Sequence, residues 1–148
     1  MSKKNGYYLL LPEDFLDRPP VQKLIARYGF GAVTVYHDLQ TRMRDYEKDG
    51  ETSFMIPAED LSFLCFRYRM KQEQLQEMVN YLYLVDLLKV YEITDGENTA
   101  RYYYAEDTRE ILLGWVSKRE RLIEAGKRGA YRRYNRERKA TEDQDETN

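Results

Sequence analysis

One cysteine, one histidine and one tryptophan occur in 148 residues, and each scarcity removes a class of chemistry. With Cys65 alone no intramolecular disulfide can form, so a reducing compartment is the natural setting. One histidine, His37, and one cysteine supply neither a Cys/His zinc site nor a Cys/His nucleophile pair, and no Gly-x-Ser-x-Gly sequence is present. His37 is expected as a structural or exposed imidazole. Gly126-Lys127-Arg128 is not a phosphate-binding loop, because Arg121 stands where that loop's first glycine belongs and Arg128 replaces the hydroxyl residue that holds magnesium. Gly29-Phe30-Gly31 reads as a helix stop, and the acid pairs Asp14/Asp17 and Glu59/Asp60 read as helix starts. The expectation is a protein that is not an enzyme and takes no cofactor or metal.

Long apolar runs are also scarce. The run from Tyr7 to Leu11 is cut by Pro12, too short for a signal peptide's apolar region or a membrane span, so a cytoplasmic protein without a membrane partner is expected. What is present is a globular balance, 42% hydrophobic and 34% charged residues, in a length that suits one cooperative core. Fourteen tyrosines dominate the aromatics. Tyrosine buries its ring while its hydroxyl finds a polar partner, which suits the rim of a small core and equally an interface.

Apolar spacing then orders the chain. Val21, Leu24, Ile25 and Tyr28 predict a helix over about residues 19–28, opened by Pro19-Pro20 and stopped at Gly29. Val35, Tyr36, Leu39 and Met43 predict a second, running to about residue 47 before the Asp49-Gly50 turn. Thr52 to Ile56 is β-prone, and Pro57-Ala58-Glu59-Asp60 predicts a helix opening with Leu61, Leu64, Cys65 and Tyr68 inward. Leu75, Met78, Val79 and Leu82 predict a further helix across a tight turn, a pair that suggests helix-turn-helix. Residues 87–94 and 99–104 are β-prone runs around Asp95-Gly96-Glu97-Asn98, a hairpin with a four-residue loop. A hairpin directly after helix-turn-helix is the wing of a winged helix.

A last helix begins at Asp107 and carries Ile111, Leu112, Trp115, Val116, Leu122 and Ile123. Beyond Ile123 the apolar stripe ends, and Gly126 and Gly129 each cost a helix about 1 kcal/mol relative to alanine. The expected organisation is a winged-helix domain over residues 1–123 and a flexible basic arm with an acidic tail over 124–148. The fold class is thus mainly α with a small β-hairpin, a winged helix-turn-helix with a long C-terminal helix.

The net charge of -2 hides an asymmetry. Residues 117–140 hold ten Lys/Arg against three Glu, residues 141–148 hold four acids and no base, and the body up to residue 116 is net acidic. In the basic run Lys127, Arg128, Arg132, Arg133, Arg136, Arg138 and Lys139 are interleaved with Tyr131 and Tyr134, so phosphate pairing and stacking on unpaired bases are both available. The same run also reads as a solvated helix end, or as one neutralised by the tail from Glu142 to Glu146.

Arg27-Tyr28-Gly29-Phe30-Gly31, followed by Val35-Tyr36 and Leu39, resembles the opening of a family built on the N-terminal domain of Listeria Lin-type hypothetical proteins, related in style to phage replisome-organiser N-terminal domains. Gly126-Lys127-Arg128-Gly129-Ala130 with Arg132-Arg133 resembles the same family's close. The resemblance spans roughly residues 7–134 and implies a winged-helix fold and a link to phage-like DNA replication initiation. His37 departs from it, standing where such members carry a bulky aromatic. Longer relatives continue into a further domain, so helicase-loader recruitment is not carried over.

Two functional readings follow. In the first, the chain is a DNA-binding module of a replication-initiation protein. The basic run then neutralises phosphate, and Lys71, Gln72, Gln76 and Asn80 of the presumed recognition helix face the groove, where Gln and Asn can read adenine. Against base reading by the body stand a recognition helix with one basic residue among Lys71, Gln72, Gln74, Gln76, Glu77 and Asn80, and an acidic hairpin tip at Asp95 and Glu97. The second reading is a protein-interaction module that keeps the fold and docks a replisome protein or a second copy of itself.

Overall fold

The computed structural model describes residues 11–146. It is mainly helical with one small antiparallel sheet, and it divides into two compact units, the boundary falling between Leu112 and Leu113. The first unit opens with a 3-10 turn at Phe15–Asp17 and helix α1 (Pro19–Tyr28). Gly29 ends α1 with φ +83°, a backbone that L side chains rarely adopt, and its N–H bonds Ile25 O at 2.8 Å. Helix α2 (Gly31–Arg42) buries Val35, Tyr36 and Leu39. The expected run to residue 47 is finished by a tighter 3-10 turn, Met43–Tyr46, common at helix ends.

Residues 50–62 differ from the sequence expectation. Only Ile56–Pro57 forms a strand, β1, and the helix opening expected at Pro57 is displaced by this pairing. A 3-10 turn at Ala58–Ser62 comes next, and regular helix α3 spans only Phe63–Tyr68. Proline lacks an N–H, and β1 lies at the edge of the sheet, where that loss is tolerated. Phe54 is fully buried at φ +60°, held by its N–H to Tyr46 O at 2.8 Å.

Between α3 and helix α4 (Gln72–Leu84), Arg69 takes the left-handed conformation at φ +52°. The side chain of Gln74 then accepts the Lys71 N–H at 2.9 Å and satisfies one donor at the start of α4. Leu75, Met78, Val79 and Leu82 form the buried face of α4, as their spacing predicts. Asp38 of α2, its side chain 10% exposed, accepts the Tyr68 hydroxyl at 3.0 Å and pairs with Arg67 Nε at 3.3 Å, which ties α2 to α3.

Strands β2 (Lys89–Asp95) and β3 (Asn98–Tyr104) pair from Lys89↔Tyr104 to Asp95↔Asn98. The connection is therefore the two residues Gly96 and Glu97, not the four-residue loop read from sequence. Gly96 at the first of these has φ +62°, as a type II′ turn requires of that position. Ile56 faces Tyr103 across β1 and β3, giving the order β1-β3-β2.

Helix α5 spans Glu106–Glu146, with Glu106 and Asp107 in its first turn, where the helix dipole favours acids. Its opening is fixed in the first unit: Gln40 Nε2 donates to Thr108 Oγ1 at 2.9 Å, and Arg109 donates to the carbonyls of Ser53 and Glu51 at 3.0 and 2.8 Å. The second unit is the remainder of α5. The helix continues past Ile123, through Gly126 and Gly129, over the segment expected as a flexible basic arm. Two glycines cost about 2 kcal/mol together, but most other positions hold Ala, Arg, Lys and Glu, the strong helix formers. The Arg138–Glu142 pair at 3.6 Å adds i,i+4 support. Among the described residues no helix is long and apolar enough to cross a membrane.

Two outcomes follow for stability. Leu82→Ala, at a site 1% exposed, is expected to cost about 2–5 kcal/mol, read as a lower urea midpoint at unchanged slope. Burial first, then the hydroxyl's bond to Asp60 Oδ2 at 2.8 Å, raises Tyr46 from its ordinary value of 10.0 to about 12. The folded state favours the neutral phenol, so this contribution is complete below pH about 10 and lost as pH rises through about 12. Tyr46→Phe should lose less stability than the parent over that window in a urea series.

Candidate nucleic-acid interface

Burial of Leu75, Met78, Val79 and Leu82 turns the other side of α4 outward, so Lys71, Gln72, Gln76 and Asn80 are all exposed. Gln76 Nε2 donates to Asn80 Oδ1 at 3.0 Å, and Gln72 Oε1 lies 3.5 Å from the Cys65 thiol. Gln72 and Gln76 line a shallow groove of about 240 Å³ whose far wall is β3, with Thr99, Arg101 and Tyr103. Arg101 was not among the residues singled out from sequence. Its signal is alternation: Arg101 and Tyr103 stand two apart on one strand, and the hairpin register brings that strand beside α4.

Acids temper this surface. Glu73 and Glu77 lie on α4, and Arg101 pairs with Glu92 at 2.7 Å. The hairpin tip is exposed and acidic at Asp95 and Glu97. A second grouping also escaped the sequence reading: Arg27 lies over the rings of Tyr28 and Tyr81, at 5.7 and 5.2 Å from their centroids, beside Lys23 and Glu77.

In the second unit the basic residues all fall on one uninterrupted helix. Successive residues of an α-helix step by about 100°, so residues three or four apart share a face. Arg128, Arg132 and Arg136 therefore form one stripe, about 6 Å apart along the axis. Among the described residues none of the three makes an ion pair. Tyr131 and Tyr134, 67% and 61% exposed, lie roughly 130° around the helix from that stripe. The interleaving seen in sequence is thus resolved into two faces, and Lys127 joins the tyrosine face while Arg133 flanks the arginine stripe.

The site does not extend to His37. That residue lines a separate cavity of about 570 Å³ with Phe15, Arg18, Tyr36 and Asp107, and its Nδ1 is buried with no hydrogen-bond partner among the described residues, as is Gln40 Oε1. Among the described residues no group of three or more His, Cys, Asp or Glu is placed to hold a metal ion. Comparison with protein-family models, curated proteins and solved structures gives no match.

Because Gln76 and Asn80 are exposed and, among the described residues, their side chains bond to each other across one turn, Gln76→Ala and Asn80→Ala should each change stability by no more than about 0.5 kcal/mol. Urea denaturation checks this, and a larger loss would place them in the folding of α4 rather than at a contact surface.

Proposed function

We propose that the protein is a DNA-binding module of the winged-helix kind, with a role in phage-like replication initiation. The observation that carries the DNA-binding reading is the stripe of Arg128, Arg132 and Arg136, exposed and without acidic partners among the described residues, on a continuous helix. Evenly spaced guanidinium groups free of internal partners suit pairing with a phosphate backbone. The winged-helix reading is supported by element order: α2, then β1, the helix pair α3 and α4, and the β2–β3 hairpin, with β1 adding to the β3 edge. On this reading α4 is the recognition helix, presenting Gln72, Gln76 and Asn80 beside Arg101, and the hairpin is the wing. The replication link rests on the sequence resemblance alone.

One observation favours the second reading, a protein-docking module in the body. Phe66 is 87% exposed on α3, in a part of the chain whose net charge is acidic. A large exposed aromatic suits a protein partner better than phosphate.

Fluorescence anisotropy with labelled DNA over a salt series separates the two. The parent is expected to bind with a steep log-log salt slope, and the triple variant Arg128→Ala, Arg132→Ala, Arg136→Ala to bind more weakly on every sequence, its slope shallower by about three units. Alanine keeps helix propensity, so loss of helix does not enter. Absence of binding by the parent at low salt would reject the DNA reading and leave the docking reading.

A further inference from the structure

Resting on the reading that α5 binds nucleic acid, we infer that its basic segment lies in the major groove of duplex DNA, with Asn135 as the base-reading residue between two cationic flanks. The inference comes from how the residues are distributed around the helix. Taking about 100° per residue from the Asn135 direction, Lys127 and Arg138 lie roughly 60–80° to one side, and Arg132 and Arg136 roughly 60–100° to the other. Arg128, two turns before Asn135, lies within about 20° of its line.

A helix in the major groove faces this arrangement of charge. The groove is about 12 Å wide, it admits one α-helix, and a phosphate backbone runs along each wall with base edges on the floor. Cations on both flanks address both walls, and a short amide on the centre line addresses the floor, where asparagine can make two hydrogen bonds to adenine N6 and N7. The centre-line arginine has matching chemistry for guanine.

Charge placement on the remaining side agrees. Between residues 125 and 141, about 24 Å of helix, the one acid is Glu137, and it lies with Arg133 roughly 160° from Asn135, so the rear side carries one charge of each sign and no net charge faces away from the groove. The small residues Gly126 and Ala130 lie nearer that rear face. Arg138 pairs with Glu142 in the free protein at 3.6 Å, but both side chains are about two-thirds exposed, and such a surface pair is a weak competitor for phosphate. A single strand has no second wall for the other flank, and the major groove of A-form RNA is too narrow for side chains to read.

The experiment uses the full chain. Anisotropy is measured with a duplex DNA, its separate strands and the double-stranded RNA of the same sequence, after selection of preferred duplexes from a randomised pool. The expected result is binding to duplex DNA at least ten-fold tighter than to the RNA duplex or the single strands, with a selected site that contains adenine. Asn135→Ala is expected to keep binding to unselected duplex and to lose a preference of roughly ten- to a hundred-fold for the selected site. Equal or tighter binding to single strands or RNA overturns the groove placement while leaving the DNA-binding reading intact, and so does an Asn135→Ala protein that keeps the full preference. Failure of every nucleic acid to bind at low salt overturns the DNA-binding reading itself.

Discussion

Leu24, Leu39, Leu64, Leu82 and Leu112 come from five different helices, and none is more than 1% exposed. Removing such side chains from water contributes on the order of 1.5–3 kcal/mol each, and no element of the first unit is long enough to be stable without this shared burial. The polar surface of α4 depends on it directly. Because Leu75, Met78, Val79 and Leu82 must face inward, the residues between them must face out. The hairpin depends on it through two residues of pairing, in which Ile56, 1% exposed, lies opposite Tyr103.

A different constraint governs the second unit, where the side chains are almost all exposed. There the regular turn of the backbone decides which side chains share a face. A basic run read as a string offers cations and tyrosines together. Wound into a helix, it offers an arginine stripe, a tyrosine face with Lys127, and a rear side carrying Glu137. The two units therefore present different chemistry: a polar, partly acidic surface around α4 and the hairpin, and a strongly cationic helix.

Much of the fold was legible in sequence. The bounds of α1, the buried face of α4 and the existence of the hairpin follow from periodicity and from Gly29 and Gly96, because each is a local pattern. The tight end of α2 and the brief β1 were not legible. Thr52 to Ile56 has strand composition, but only Ile56–Pro57 reaches a partner, and that partner is Tyr102–Tyr103, far along the chain. Nor was the continuity of α5, since the end of an apolar stripe was read as the start of a flexible arm. Apolar periodicity reports burial, and a solvent-facing helix of Arg, Lys, Glu and Ala has no burial to report.

The sequence by itself determined the positions of the main helices and the concentration of positive charge near one end, because these depend on composition and on neighbours within a few residues. Tertiary structure alone decided that Arg101 stands beside Gln72 and Gln76, that Asp38 joins α2 to α3, and that Ile56–Pro57 closes the sheet. Each of these needs groups distant in sequence to meet, and side-chain spacing along a chain carries no information about such meetings until the shared core has fixed how the elements pack.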